Sequence, residues 1–578
     1  MKRLLVYLND YKKESILGPL FKLLEASFEL LVPLVMAAII DKGIADGNKK
    51  YVISMCIVMI ALGVIGLVCS ITAQYFAAKA AVGFSTKLRH ALFDHIQSFS
   101  FTEMDTVGTS TLITRMTSDV NQVQSGVNLV LRLFLRSPFI VIGAMVMAFT
   151  IDIKAALIFA VTIPLLSIVV FGIMLITIPF YRKVQASLDR VLGVTRENLT
   201  GVRVIRAFGK EEEEKERFKK SNQDLTKIQI YVGKISGLLN PLTYIILNLA
   251  VAALIWQGGL QVNTGKITQG EVIALVNYMS QILIELVKLA NLIITVTKAF
   301  ACAKRIENVL DMEGSLKEGE IVKTENQPEE NDEIAVEFRN VSLRYKNAGD
   351  DSLKQINLKA KKGQTIGIIG GTGAGKTSLV HLIPRFYDVT QGNVFVEGKD
   401  VKEYSLEELR QKVGIVMQKA VLFKGSIREN LSWGKKDASE KEMYRALETA
   451  QASDIVKNKE SGLDFMIGQG GKNLSGGQRQ RLTIARAVVK SPDILILDDS
   501  ASALDFATDA KLRRAIRDME GQTTVFIVSQ RTSSIQHADQ IVVLDDGEIA
   551  GIGTHEELLK NCSVYQEIYY SQFKKEEA

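Results

Sequence analysis

Cysteine is scarce in this chain: Cys56, Cys69, Cys302 and Cys562 lie far apart in 578 residues. None stands at a spacing that would bind a metal, so they read as small apolar residues and one surface thiol. A strong charge of one sign is also lacking. Lys and Arg outnumber Asp and Glu by only 70 to 64, and no basic cluster is interleaved with aromatics. That leaves no footprint for a nucleic-acid partner. The first residues, "MKRLLVYLNDYKKES", lack a short apolar core followed by a small-residue cleavage site. They are expected to form an amphipathic helix lying on the membrane rather than a signal peptide.

Apolar residues are abundant, at 47%, and unevenly placed: nearly all the long runs precede residue 300. Crossing about 30 Å of hydrocarbon takes roughly 20 helical residues. Six runs meet that length, near 16–40, 52–75, 129–150, 155–180, 236–260 and 271–296. The connections near 41–51, 151–154 and 261–270 are short. Those at 76–128 and 181–235 are long, helix-patterned and rich in Lys and Arg, which marks the cytoplasmic side. An even number of spans then leaves both termini and the soluble half in the cytoplasm, in a multi-pass protein of the cell membrane. The long connections are expected to extend the membrane helices and to turn back through short transverse helices near 99–106 and 201–208. Glu211–Glu214 reads as a solvated helix face. Within the spans, Glu25, Glu29, Asn277, Gln281, Glu285 and Lys288 should face protein or a water-filled cavity, because a charge in lipid costs several kcal/mol. They either line a translocation pathway or pair between helices.

Residues 311–334 are acidic and poor in large apolar side chains, the composition of a linker. This predicts a membrane domain over 1–310 and a soluble domain over 335–578. Beyond the linker, short β-branched runs alternate with helical ones, the pattern of an α/β domain. Gly370-Gly371-Thr372-Gly373-Ala374-Gly375-Lys376-Thr377 fits GxxxxGK[ST] between a strand and a helix, with Ser378 next in the helix. The glycines let backbone N–H groups surround phosphates, Lys376 would reach the β- and γ-phosphates, and Thr377 would ligate Mg²⁺. The strand "ILIL" delivers Asp498, whose natural role is to hold Mg²⁺, and beside it Asp499. Upstream, Leu474-Ser475-Gly476-Gly477-Gln478 places a serine and two glycines at a helix N-terminus, where free N–H groups and the helix dipole favour an anion.

A phosphate loop, LSGGQ and an acid strand in this order, after six spans, resemble the ABC transporter family over the whole chain, as an exporter half-transporter. The resemblance implies six long membrane helices followed by an α/β P-loop ATPase that uses ATP and Mg²⁺. It implies that Tyr345 stacks on adenine and that Gln418 senses the γ-phosphate and Mg²⁺. Asp505, in Ser502-Ala503-Leu504-Asp505, would belong to a loop at the ATPase dimer interface. Each ATP would lie between one subunit's phosphate loop and the other's LSGGQ, and the transverse helices would fit grooves in the ATPase domains.

The chain departs from the family at two positions. Asp499 stands where most members have the glutamate that polarises the attacking water. Gln530 stands where the family has a histidine contacting the γ-phosphate, and His537 comes seven residues later. Aspartate is shorter by one methylene, retracting the carboxylate by about 1 Å, and such a displacement can cost roughly 10²-fold in rate. Glutamine cannot become a cation near neutral pH. Gln469 replaces an acidic residue of many exporters. The pattern resembles the degenerate half of heterodimeric bacterial multidrug exporters, so a partner half with glutamate and histidine is expected, with a small amphipathic molecule as cargo. A homodimer with two slow sites, carrying lipids or peptides, and an ATP-gated regulator or channel are the competing readings. No peptidase segment precedes the spans, which argues against export of leader peptides.

Overall fold

The computed structural model describes residues 3–316, 333–346, 348–500, 503–519 and 523–573. Most of the expected linker, 317–332, lies outside the described residues. Two compact units divide the chain: Met1–Gln97 with Ser110–Met312, and Ser98–Thr109 with Glu313–Ala578.

The first unit contains six helices long and apolar enough to cross a membrane: α1 (Leu4–Ile44), α2 (Lys49–Gln97), α4 (Thr109–Ile151), α5 (Ile153–Thr200), α7 (Glu211–Asn263) and α8 (Gln269–Leu310). Each contains one expected span. Two short helices sit at the turns, α3 (Phe101–Val107) and α6 (Val202–Ala207), where transverse helices were expected. At 1.5 Å per residue, the 49 residues of α2 reach about 74 Å, more than twice the hydrocarbon thickness. The packing logic is that of a membrane bundle. Small residues of α2 (Ala73, Ala77, Ala80, Ala81) are buried, while Ile53, Ile57, Ile60 and Val64 are exposed on the same helix. Small contact residues let helix backbones approach, since lipid offers no hydrophobic drive.

The N-terminal segment Leu4–Tyr11 is a short helix that leads directly into the rest of α1 and packs against α2. Leu4 is buried, Asp10 pairs with Lys87, and Glu14 meets Lys79 at 2.9 Å. Leu5 and Val6 remain exposed on the same segment.

The polar residues within the spans are largely paired. Arg136 of α4 is buried and bridges two other helices, donating from Nη1 to Glu285 Oε1 of α8 at 2.7 Å and from Nη2 to Glu29 Oε2 of α1 at 2.6 Å. Ser137 Oγ donates to the second oxygen of Glu285 at 2.8 Å, and Lys288 Nζ to the first at 2.8 Å. Lys22 pairs with Glu25 and donates to Ser70 Oγ. Three cations thus meet three carboxylates: Glu29 and Glu285 pair between helices, while Glu25 pairs with Lys22 of its own helix. Glu211–Glu214 are paired or solvent-facing at the start of α7, and no metal-holding cluster occurs among the described residues.

The second unit is built on two sheets. Strands β1 (Ile334–Leu343), β2 (Leu353–Lys361), β4 (Gln391–Val396) and β5 (Lys399–Asp400) form an antiparallel sheet in the order β2-β1-β4-β5. The other runs β10-β9-β3-β8-β7-β6, from β3 (Thr365–Gly370), β6 (Val413–Val416), β7 (Ile494–Asp498), β8 (Thr524–Val528), β9 (Gln540–Asp545) and β10 (Glu548–Gly553). Its five strands from β9 to β6 are parallel, and β10 is antiparallel at the edge. The central strands read as unbroken apolar runs because both faces are covered. α3 belongs to this unit: Phe101 stacks on Phe386 with ring centroids 4.4 Å apart, and Tyr387 Oη donates to Asp105 at 2.7 Å. α6 buries none of its residues, and its Val204 and the following Phe208 stand exposed.

Candidate nucleotide site

In a parallel sheet, loops at the carboxyl ends of adjacent strands converge. Here β3 and β7 flank β8, with Val528 registered against both Ile368 and Asp498. The chain leaves β3 through the glycine loop and enters helix α9 (Lys376–His381). Gly375 caps that helix in a left-handed conformation, φ 91°, and a Cβ there would stand 2.6 Å from the carbonyl oxygen of Ser352. Both facts require glycine at that point.

A pocket of about 360 Å³ gathers Tyr345, Thr372, Gly373, Ala374, Gly375, Lys376, Thr377, Ser378, Gln418, Asp498, Asp499 and Gln530. These residues come from segments as far apart as 345 and 530, and all were expected at a nucleotide site. Thr377 Oγ1 donates to Asp498 Oδ1 at 3.0 Å. Lys376 Nζ donates to the carbonyls of Gly370 and Gly371, at 2.9 and 2.6 Å, folding back on its own loop. Tyr345 Oη donates to Ser378 Oγ at 2.8 Å and meets the Tyr387 ring edge-on. Gln418 Nε2 lies 3.5 Å from Asp499 Oδ2, the outer limit of a hydrogen bond.

Burial sets the protonation of this site. It pushes Lys376 below the ordinary lysine range, against the pull of Asp499 and Asp498. It pushes Asp498 above the carboxylate range, although the Thr377 hydrogen bond opposes it. Asp499 is raised for the same first reason, with Gln418 opposing. A pocket that strains one cation and two carboxylates towards neutrality suits a bound polyanion and a divalent cation. The donor set fits Mg²⁺: the hydroxyl of Thr377, the carboxylates of Asp498 and Asp499 and the amide oxygen of Gln418 are hard oxygens. Bound there, Mg²⁺ would neutralise charge developing on the β- and γ-phosphates.

Asp499 has a positive φ of 44°, and its N–H donates to the Val528 carbonyl at 3.0 Å. Aspartate tolerates that left-handed backbone better than most residues. Gln530 is exposed at the pocket rim. Its carbonyl accepts from Gln572 Nε2 at 2.7 Å, and Gln572 Oε1 accepts from the N–H of Thr532 at 2.9 Å. The last helix, Ser563–Gln572, thereby holds the loop that presents Gln530.

The LSGGQ segment is elsewhere on the unit. Ser475 caps helix α10 (Gly476–Val488) in a reciprocal box with Gln478. Ser475 and Gly476 are exposed, so they are free to meet a ligand outside this chain. Leu474 is buried in the hydrophobic core, and the Ala374 methyl is likewise buried. Both anchor their loops and can offer a ligand only backbone. Asp505 caps helix α11 (Phe506–Arg517) by accepting from the Thr508 N–H, and Ser502 lies outside the described residues. Gln469 sits in a short 3₁₀ turn before the signature. Residues missed from sequence are Ser352, which lines the pocket, Gln572, and the buried His381. For His381 a signal existed, since it is four residues after Thr377 and shares its helix face.

A phosphate loop, an acid strand beside it and a separate signature helix, following six spans, define a membrane transport ATPase. The chain belongs to the ABC transporter family. The family model for the ABC transporter transmembrane region matches residues 15–286, and a second model, described as ABC transporter, matches 353–502. YfiB of Bacillus subtilis, an ABC transporter ATP-binding protein, is 36% identical over 578 residues, covering 100% of this chain and 99% of its own. The ATP-dependent lipid A-core flippase of Syntrophus aciditrophicus is 34% identical, covering 85% of this chain and 80% of its own. In fold, the chain is similar to a bacterial Atm1-family ABC exporter with ATP bound, with a TM-score of 0.79 and 22% identity over 98% of this chain and 99% of that one. It is a half-transporter, with membrane domain and ATP-hydrolysing domain on one multi-pass polypeptide.

Loss of the loop ammonium and of the aromatic face should separate cleanly. Lys376→Ala is expected to abolish photo-crosslinking of an ATP analogue to this chain. Tyr345→Ala, which removes one stacking partner worth about 1 kcal/mol, should weaken it several-fold. Undiminished labelling of both variants would refute the pocket assignment.

Proposed function

We propose that this chain is one half of a dimeric ABC exporter, that its own phosphate-loop pocket binds Mg·ATP but turns it over slowly, and that Ser475–Gln478 close over ATP held by the partner half. The observation that carries this is the presence of Asp499 and Gln530 in one pocket with an otherwise complete phosphate loop. Lys376 and the loop N–H groups would hold the phosphates, Thr377 and Asp498 the Mg²⁺, and Tyr345 the adenine. Asp499 reaches the attacking water poorly, and Gln530 offers a hydrogen bond but no positive charge at the γ-phosphate. The tip at α6 supports a partner, because Val204 and Phe208 are large apolar side chains left exposed there.

A different half-transporter with glutamate and histidine at these two positions suits the asymmetry of an intact signature beside a weak site. A second copy of this chain suits the comparisons at least as well. The chain shares the fold of the Atm1-family exporter over 98% of its length, with membrane and ATPase domains both present, which supports a second copy as partner. The left-handed backbone at Asp499 favours that reading too, since aspartate is a comfortable residue there. We propose a small amphipathic molecule as cargo. Lipids belong to that class, given the relative whose name is a lipid A-core flippase.

The test is turnover by the purified chain alone, before and after Asp499→Glu with Gln530→His. Low activity that rises about 10²-fold on restoration is expected. Robust hydrolysis by the unaltered chain would overturn the slow-site reading. Co-purification with a different half-transporter, against self-association only, decides the dimer type.

A further inference from the structure

His381 closes the last turn of α9 and is buried. Its Nε2 has no hydrogen-bond partner among the described residues, and it lies 3.8 Å from Oδ2 of Asp498, which is 1% exposed. The other oxygen of Asp498 accepts from Thr377. At 3.8 Å the ring stands beside the carboxylate, beyond hydrogen-bond length. A proton on Nε2 would make the ring a donor to that carboxylate oxygen, a buried group beside it.

The other side of the ring is packed against aromatics. His381 lies nearly parallel to Tyr387, with centroids 6.4 Å apart and planes at 15°, and meets Phe386 edge-on at 5.4 Å. Those two rings are the ones that touch α3, through Phe101 at 4.4 and 6.0 Å and through the Tyr387 hydroxyl on Asp105. Tyr387 also meets Tyr345 at 5.0 Å. Close-packed rings shift together, because an interior has two arrangements rather than a continuum of them.

We propose that His381 is a positioning residue for the magnesium-holding aspartate, and that through Phe386 and Tyr387 it carries the state of the nucleotide pocket to α3. The proposal rests on the reading of Thr377 and Asp498 as the Mg²⁺ holders. When Thr377 turns its hydroxyl to the ion, Asp498 loses the hydrogen bond it accepts now. The His381 N–H then fixes the carboxylate from behind. Closing the 3.8 Å gap to hydrogen-bond length draws the ring, and with it the aromatic stack under Phe101. Outer partners of metal-binding carboxylates orient them in this way.

The experiment uses the full chain in lipid nanodiscs with a fluorescent ATP analogue. It reads the Mg²⁺ concentration for half-maximal binding, and amide hydrogen exchange over 101–107 with and without Mg·ATP. His381→Phe keeps a ring but loses the donor. It should raise the Mg²⁺ requirement about tenfold and abolish the nucleotide-dependent change in exchange. His381→Gln places an amide donor near the position of Nε2 without the ring. It should restore most of the Mg²⁺ dependence and still leave α3 unresponsive. Wild-type Mg²⁺ dependence in His381→Phe, or a wild-type α3 response in His381→Gln, would overturn the proposal. Absence of Mg²⁺-dependent binding in the unaltered chain is a different failure, that of the pocket reading beneath it.

Discussion

Ser475→Ala combined with Gly477→Asp should remove nearly all ATPase activity and transport from the assembled transporter, by about 10²–10³-fold, while Asp499→Asn leaves most of both. The signature end of α10 is built to donate. Ser475 and Gly476 are exposed, the Ser475–Gln478 box holds the first turn, and buried Leu474 pins the loop. At Gly477 a Cβ would already stand 3.3 Å from the carbonyl oxygen of Ala503. An aspartate there adds both crowding and a negative charge where a γ-phosphate must approach. Asp499 belongs to the other site, which we read as slow. Both variants, paired with an unaltered partner half in proteoliposomes, give the answer directly. If Asp499→Asn is the more damaging, this pocket carries the chemistry. The homodimer with Asp499 as its working acid then replaces the asymmetric scheme.

The second large effect is on stability. Arg136→Ala would strand Glu285, which is 2% exposed, and Glu29 without their shared cation. Removing one partner of a buried ion pair costs about 3–5 kcal/mol, because the remaining charge has neither water nor counter-ion. Lys288 still reaches Glu285 at 2.8 Å but is 41% exposed and compensates only in part. A marked fall in the thermal unfolding temperature in detergent is expected, largely recovered by Arg136→Met with Glu285→Gln, which removes the charges on both sides. Unchanged stability with lost transport would instead assign these residues to the translocation pathway.

Much of this molecule is legible before any coordinates. Six apolar runs of sufficient length oblige six membrane helices, since backbone groups in hydrocarbon must be satisfied within one segment. GxxxxGKT between a β-branched run and a helix obliges a phosphate loop, because the chemistry is local to eight residues. Asp498 and LSGGQ are legible for the same reason, as is the departure at Asp499. The N-terminal segment is only half legible, because its amphipathic pattern states only that one face wants cover. Whether lipid or α2 supplies that cover depends on where Lys79 and Lys87 fall along α2.

The pairings between distant segments are decided by tertiary structure alone. Glu25, Glu29, Glu285 and Arg136 are visible as costly charges in spans, but helix rotation and register determine which carboxylate meets which cation. Leu474 reads as part of a ligand motif until the core claims its side chain. His381 is one residue of a short helix until β7 brings Asp498 to within 3.8 Å of it and the turn after α9 brings Phe386 and Tyr387 against its ring. Local sequence determined the spans, the phosphate loop and the acid strand, since each is specified by contiguous residues and by backbone hydrogen bonding. The ion network, the pocket's electrostatics and the aromatic link to α3 were decided only by folding, since they depend on side chains brought together from far apart in the chain and buried away from water.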